Sequence, residues 1–316
     1  MNAAVVNVLG QNPRYQSFAD PVAEDGELLV KLRAAGLHPI VKGRASGTHY
    51  SSDGVAPMVP GVDGVGTLED GSRVYFGSTR SPFGTMAEWT ITRQSMCIPV
   101  PDGIDDVQAA AIANPGMSAW VSMKERARVA AGETVLILGA TGVAGQLAIQ
   151  VARHLGAKRV IGVGRNVEAL QAADLDAIIA LGQPDEAVRD AFAAEAAQGI
   201  DVVIDYLWGR PTELFLEALA KGYKASSTPS TRLVEVGASA GPTITLAGAL
   251  LRSVDLTMLG SGFGSAALDK IFAAIPVLFG LAAEGKLKID VEPVPLTGVE
   301  AAWSRQDKGR RIVFTV

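Results

Sequence analysis

The chain has 316 residues, 48% of them hydrophobic, which is enough for two domains with sizeable cores. Its net charge of −5 argues against a nucleic-acid-binding surface, and its single cysteine, Cys97, excludes an intrachain disulfide and a cysteine-rich zinc lobe. No apolar stretch is long enough to span a bilayer, and the N-terminus lacks the basic start and apolar core of a signal peptide. These features predict a cytoplasmic protein.

The first third of the chain, to about residue 101, predicts a small and mostly β domain. Short alternating runs broken by Gly, Pro and Asp are typical of its strands, and they occupy residues 27–32, 66–68, 73–76 and 87–92. Two helices are expected next, at about 105–113 and 116–128. The first of them has acidic residues in its first turn, as a helix dipole favours.

From residue 134 onwards, apolar runs alternate with mostly helical segments. The runs predict strands at 134–138, 159–163, 177–181, 201–207, 232–236 and 256–259. Alternation of this kind predicts an α/β fold with a doubly wound parallel sheet, the Rossmann arrangement. After a helix near 266–283, β character returns at 286–295 and 311–316. We therefore expect a Rossmann nucleotide-binding domain (115–284) inserted in a mostly β substrate domain (1–114 and 285–316).

The turn after the first of these strands carries the glycine pattern of a dinucleotide site. Gly142 would let the backbone approach a pyrophosphate, and Gly145 would let the following helix lie close to the sheet. Ala140 stands where the usual pattern has its first glycine, so the match is a variant. The free N–H groups at the helix start would face the phosphates. The pattern predicts cofactor contacts from Ala140, Thr141, Gly142 and Val143; a tight turn without a nucleotide is the alternative.

The end of the second strand indicates which dinucleotide binds. In NAD-binding domains an Asp or Glu about 20 residues further on hydrogen-bonds the ribose 2′-OH. Gly164 occupies that place, which removes a repelling carboxylate and leaves room for a phosphate. Arg165 offers a charge-assisted contact to the phosphate, and Asn166 lies beside it. We therefore predict NADPH as the cofactor, the alternative being that Arg165 is a solvated surface residue.

Four motifs follow one another along the chain. They read PMVPGVDGVG at 57–66, DGSRVYFG at 70–77, NPGMSAW at 114–120 and AGETVLILGATGVAG at 131–145. In this order they resemble the medium-chain dehydrogenase/reductase superfamily, in its zinc-free quinone-oxidoreductase and enoyl-reductase branch. The resemblance implies a GroES-like substrate domain, and a homodimer formed by edge pairing of the nucleotide domains.

The resemblance also bears on zinc. The catalytic zinc ligands of metal-dependent relatives fall at about His38, Val62 and Pro115. Only His38 could bind a metal, and one ligand cannot make a catalytic zinc site. We expect His38 to line the pocket or to be hydrogen-bonded. Without zinc, enones and quinones are favoured as substrates, because they accept hydride at carbon and spread the charge onto oxygen.

The remaining site residues are implied by the fold and the resemblance. The loop 47–51 lies where relatives line the substrate pocket, and Tyr50 could hydrogen-bond a developing enolate; His49 and His38 are alternatives. Further cofactor contacts are expected at strand ends and near the domain and chain ends, from Asn114, Tyr206, Leu207, Val236, Gly237, Ala238, Gly260, Ser261 and Arg311.

The predicted function is zinc-independent, NADPH-dependent reduction of quinones or α,β-unsaturated carbonyls. Two alternatives remain open: an NADPH-binding sensor or interaction protein without turnover, and a zinc-free carbonyl reductase or alcohol dehydrogenase. The expected partners are a small-molecule quinone or enone and a second copy of the chain, with no nucleic acid and no membrane.

Overall fold

The structure, a computed structural model, describes residues 1–222, 229–306 and 309–316. It divides into two compact units, one of Met1–Asn114 with Ile275–Val316 and one of Pro115–Ala274. The chain returns to the first unit at Ile275, whereas the sequence predicted this boundary at residue 285. The functional assignment of the units as substrate and nucleotide-binding domains stays a prediction.

The described strands have the following bounds in chain order: β1 (Asn2–Val5), β2 (Arg14–Ser17), β3 (Glu27–Gly36), β4 (Asp63–Thr67), β5 (Arg73–Gly77), β6 (Trp89–Arg93), β7 (Cys97–Pro99), β8 (Thr134–Leu138), β9 (Arg159–Gly164), β10 (Ala177–Ala180), β11 (Val202–Asp205), β12 (Thr231–Glu235), β13 (Leu256–Gly260), β14 (Val291–Pro295) and β15 (Arg311–Thr315).

The described α-helices are α1 (Pro39–Ala45), α2 (Asp106–Trp120), α3 (Val143–His154), α4 (Val167–Gln171), α5 (Asp185–Ala196), α6 (Gly209–Gly222), α7 (Leu250–Ser253), α8 (Leu268–Ala283) and α9 (Val299–Trp303). Among the described residues, none of the helices is long and apolar enough to cross a membrane.

The first unit is built on a mostly antiparallel sheet in the order β14-β15-β3-β4-β5-β7, with β6 also paired to β3. Strand β15 pairs antiparallel with β3 and parallel with β14, so the last strands rejoin the first unit as predicted. A buried cluster that includes Val5, Val41 and Phe314 forms its core. Strands β3 and β5, which contain two of the alternating runs, contribute residues such as Val30 and Phe76 to a second buried cluster.

The second unit is a parallel sheet in the order β10-β9-β8-β11-β12-β13. Relative to its first strand this is the order 3-2-1-4-5-6 of a Rossmann sheet, which confirms the predicted fold class. Helices α5 and α6 pack against each other through Phe192 and Phe215, whose ring centroids are 5.6 Å apart. The strand order reverses between β8 and β11, where such sheets form their ligand crevice.

Two sequence predictions need correction. The helices expected at 105–113 and 116–128 are continuous, because α2 runs through Pro115 and passes into a π-helical segment at Val121–Ala127. Buried residues on either side of the proline, such as Ala113 and Ala119, hold the helix together although Pro115 cannot donate a backbone hydrogen bond. The strand predicted at 201–207 ends at Asp205, where the chain turns away.

Candidate cofactor site

The turn between β8 and α3 is tied to the neighbouring strand β9. The N–H groups of Gly139 and Ala140 both donate to the carbonyl oxygen of Val163, at 2.9 and 3.0 Å. Gly139 has a φ of +91°, a left-handed conformation that glycine adopts without steric cost. The turn is therefore held directly beside the end of β9, where the residue that selects the cofactor was predicted.

Two further glycines in this turn serve different purposes. A Cβ on Gly145 would lie 2.2 Å from the carbonyl oxygen of Gly139, so only glycine lets α3 lie this close to the turn. A Cβ on Gly142 would meet the same oxygen at 3.4 Å, an ordinary contact. Gly142 is solvent-exposed, and the fold itself does not require a glycine there. Its missing side chain leaves space in front of the helix.

That space suits an anion. Gly142 is the N-cap of α3 and provides no side-chain cap, and the first N–H groups of a helix have no partner within it. Free N–H groups and the positive end of the helix dipole together favour a phosphate. The residues present therefore fit the pyrophosphate of a dinucleotide.

The end of β9 adjoins this cradle. A Cβ on Gly164 would lie 3.1 Å from the side chain of Thr141, so the two predicted contacts are neighbours. Arg165 is exposed. Asn166 has a structural role that the sequence did not reveal, because its Oδ1 accepts a 3.1 Å hydrogen bond from the Ala169 N–H and caps α4. The structure thus brings Thr141, Gly164 and Arg165 to one corner of the sheet.

The end of β11 lies on the other side of the turn. A Cβ on Gly139 would lie 3.3 Å from Cβ of Tyr206 and 3.2 Å from a methyl of Leu207. A Cβ on Gly237, which follows β12, would lie 3.5 Å from the Tyr206 carbonyl oxygen. Residues predicted from separate strand ends thus meet at one edge of the sheet.

The same edge continues to β13. The Val236 N–H donates to the Asp205 carbonyl oxygen at 2.8 Å, and the Ser261 N–H donates to the Glu235 carbonyl oxygen at 2.8 Å. Ala238 and Gly260 line one cavity at this edge. These contacts place the predicted residues of the three strand ends together in the second unit.

Asp205, which the sequence analysis missed, fixes the chain after β11. Its buried carboxylate accepts hydrogen bonds from the N–H groups of Leu207 and Trp208, at 2.8 and 2.9 Å, and from Oγ1 of Thr212 at 2.5 Å. Burial raises the pKa of Asp205, while these hydrogen bonds lower it. Trp208 has a φ of +53°, a strained conformation for a non-glycine residue. The sequence signal for this role of Asp205 is an acidic residue at the end of an apolar strand.

The other predicted residues lie in the first unit. Arg311 is buried, and its Nη1 donates to the Leu37 carbonyl oxygen at 2.7 Å. That role does not favour the predicted phosphate contact, because a buried guanidinium bound to backbone has little surface to offer. Asn114 is half-buried on α2. Tyr50 is 73% exposed, and its ring lies 4.2 Å from that of His49. The functional roles of these residues stay predictions.

The comparisons with known proteins agree with this geometry. No protein-family model matches the chain. A probable NADPH-dependent quinone reductase of Emericella nidulans is 27% identical over 99% of this chain and 99% of its own. Human quinone oxidoreductase is 35% identical over 45% of each chain. The structure of the quinone oxidoreductase of Thermus thermophilus, solved also in complex with NADPH, matches this one over 100% of each chain, with 26% sequence identity and a TM-score of 0.78.

Over its whole length the chain is thus similar in sequence and fold to quinone oxidoreductases of the medium-chain dehydrogenase/reductase superfamily. Its relatives also include a trans-enoyl reductase of Aspergillus terreus, 29% identical over 68% of this chain and 62% of the relative.

His38, which the resemblance aligned with a zinc ligand, lies in a buried polar cluster. Its Nε2 is 3.4 Å from Oδ1 of Asp63, and the Tyr75 hydroxyl donates to Oδ2 of Asp63 at 2.7 Å. Burial lowers the pKa of His38, and the nearby Asp63 carboxylate opposes that shift. Among the described residues, no group of three or more His, Cys, Asp and Glu side chains could hold a metal ion.

The buried imidazole predicts acid sensitivity. The folded pKa of His38 lies below its usual value of 6.5, so the unfolded chain takes up a proton that the folded chain resists. The contribution of the neutral imidazole to the free energy of unfolding is fully present above pH 6.5. It is lost as the pH falls through the folded pKa, with a slope of up to about 1.4 kcal/mol per pH unit. Urea unfolding at pH 7.5 and 5.5 should show this slope in the wild type and a weaker one in His38→Asn. The exposed His154, replaced by asparagine, is the control; an equal effect of both variants would contradict the prediction.

Proposed function

We propose that this protein is an NADPH-dependent oxidoreductase that reduces quinones or α,β-unsaturated carbonyls by hydride transfer, without a metal. The observation that carries the proposal is the glycine cradle at the start of α3, adjoining Gly164 and Arg165. Relatives named as NADPH-dependent quinone reductase and trans-enoyl reductase support both the cofactor and the reaction.

The residues of the second unit would bind and orient the cofactor, which supplies the hydride when bound. The N–H groups at the start of α3 would hold the pyrophosphate, with Gly142 leaving room for it. Gly164 and Arg165 would receive the 2′-phosphate. The ends of β11, β12 and β13 would position the rest of the cofactor along the sheet edge.

The class of substrate follows from the side chains at the superfamily's zinc positions. Val62 and Pro115 cannot bind a metal, and strong polarisation of an alcohol or simple ketone usually requires one or an acid. A quinone or enone needs only a donor near the oxygen that becomes negative. The exposed hydroxyl of Tyr50 stays a candidate for that donor.

We further propose a cytoplasmic homodimer, with no nucleic-acid or membrane partner. The support is that β13 lies at an edge of the parallel sheet, where a second copy could extend it. The single cysteine is in keeping with a reducing compartment.

An NADPH oxidation assay with a chelator present tests the proposal. We expect turnover with 1,4-naphthoquinone and with 4-phenyl-3-buten-2-one, unchanged by the chelator, and a saturated ketone as the product from the enone. An allylic alcohol would indicate a carbonyl reductase instead. Binding of NADPH without oxidation across quinones, enones and enoyl thioesters would indicate a non-catalytic sensor, and loss of turnover with the chelator would contradict metal independence.

A further inference from the structure

The turn that follows β11, at residues 206–208, is bonded to two other strand ends of the second unit. The Tyr206 N–H donates to the carbonyl oxygen of Leu138, the last residue of β8, at 3.1 Å. The Ala240 N–H, in the segment after β12, donates to the Leu207 carbonyl oxygen at 2.7 Å. The turn thus forms part of the sheet edge at which the cofactor is expected.

The backbone of this turn is strained. Trp208 and Gly209 have φ of +53° and +60°, a conformation that glycine adopts freely but that costs energy in a tryptophan. A residue in this region keeps its conformation only where its surroundings fix it. The fixing contacts come from Oδ1 of Asp205, which accepts hydrogen bonds from the N–H groups of Leu207 and Trp208. Without these hydrogen bonds we expect the turn to relax.

Asp205 itself has no exposed surface. Its Oδ2 accepts a hydrogen bond from Oγ1 of Thr212, a residue of α6, so the carboxylate is enclosed between the turn and that helix. A side chain without exposed surface cannot touch a cofactor. Any influence of Asp205 on binding therefore has to act through the two N–H groups and the residues around them.

Tyr206 and Leu207 are the residues through which Asp205 would act. Both adjoin Gly139 of the glycine turn, and both were predicted as cofactor contacts. A Rossmann sheet consists of two halves that each bind one mononucleotide. With the 2′-phosphate at Gly164 in the first half, the nicotinamide nucleotide would lie over the second half, which begins with β11.

We propose that Asp205 is a positioning residue for the nicotinamide half of the cofactor. Its carboxylate holds the strained turn in the conformation that presents Tyr206 and Leu207 to the cofactor, and it takes no part in hydride or proton transfer. The inference rests on the proposed function. It predicts that the buried carboxylate controls the affinity for the whole dinucleotide but not the affinity for its adenosine end.

Titration calorimetry with NADPH on three variants tests the assignment. Asp205→Ala leaves two backbone N–H groups without their acceptor, so the Kd for NADPH should rise about 10–100-fold. Asp205→Asn keeps an oxygen that can accept from both N–H groups and should recover most of the affinity. Asp201→Ala is the matched control, because Oδ2 of Asp201 accepts from the Thr134 N–H at 2.8 Å just before the opposite end of β11. It should lower the free energy of unfolding and leave the Kd unchanged.

A milder variant keeps the test open if Asp205→Ala does not fold. Thr212→Val preserves the shape of the side chain but removes the hydroxyl that fixes Oδ2 of Asp205. The carboxylate then keeps its two backbone N–H groups and loses one orienting contact. The Kd for NADPH should rise about 3–10-fold, as for the loss of one ordinary hydrogen bond.

A cofactor fragment separates positioning from a general loss of structure. Adenosine 2′,5′-bisphosphate carries the 2′-phosphate but no nicotinamide, so its Kd should be the same in the wild type, Asp205→Ala and Thr212→Val. Equal weakening of both ligands, wild-type affinity of both variants for NADPH, or an Asp205→Asn protein as weak as Asp205→Ala would overturn the inference. A wild type that binds neither ligand would overturn the proposed function and the positioning role with it. The expected affinities without NADPH oxidation would overturn the proposed reaction and support the positioning role.

Discussion

Gly145→Ala is expected to lower the free energy of unfolding by about 3 kcal/mol, at the upper end of the usual cost of overpacking. The added Cβ would lie 2.2 Å from the Gly139 carbonyl oxygen and 2.7 Å from Cα of Ala140. Both atoms belong to backbone, so α3 itself has to move away from the turn. The N–H groups at its start then lose their alignment, and we expect the Kd for NADPH to rise about 100-fold, equivalent to about 2.7 kcal/mol.

Gly142→Ala is the matched control, since it adds the same atom three residues earlier. Its Cβ would meet only the Gly139 carbonyl oxygen, at 3.4 Å, and its φ of −76° suits alanine. The free energy of unfolding should change by less than about 0.5 kcal/mol, while NADPH binding weakens because the methyl occupies the space of the pyrophosphate. Thermal unfolding and fluorescence titration separate the two effects. A Gly145→Ala protein that melts and binds NADPH as the wild type does would contradict the packing argument.

The parallel sheet could be predicted because its signal is local. Residues Val135 to Leu138 of strand β8 (Thr134–Leu138) are a continuous apolar run, and all five residues of the strand are buried. A strand covered on both faces requires such a run, and the glycine turn follows it directly in the sequence. The bounds of β8 and the closeness of α3 to the sheet therefore agree with the prediction.

Other features depend on contacts that no local pattern encodes. Asn166 looked like a cofactor contact, but whether its side chain caps α4 depends on the turn after β9. Asp205 shortens β11 by binding two backbone N–H groups beyond it. Gly61 and Gly84 each pack against atoms of residues about 25 positions away in the chain. Such features become visible only when the fold brings the segments together.

The preference for NADPH should depend on two residues at the end of β9. In Gly164→Asp with Arg165→Ala, a carboxylate is added and the cation is lost, so the 2′-phosphate should meet repulsion where we expect it to have a partner. Hydrogen bonds to charged groups contribute about 1.5–3 kcal/mol, so we expect the Kd for NADPH to rise at least about 10–100-fold. The new carboxylate can accept a hydrogen bond from a ribose 2′-OH, so the Kd for NADH should stay the same or fall.

Single variants separate the electrostatic cause from a steric one. The nearest neighbours of a Cβ at position 164 would be the side chains of Thr141, at 3.1 Å, and Leu170, at 3.6 Å; Thr141 is partly exposed and can adjust. Gly164→Ala should therefore leave the ratio of the two affinities almost unchanged, whereas Arg165→Ala should weaken NADPH alone. The effect of Arg165 should shrink at high salt, because an exposed charge contact is screened. If the double variant kept the wild-type ratio, the 2′-phosphate would have to be bound elsewhere, and the assignment of Gly164 and Arg165 would be wrong.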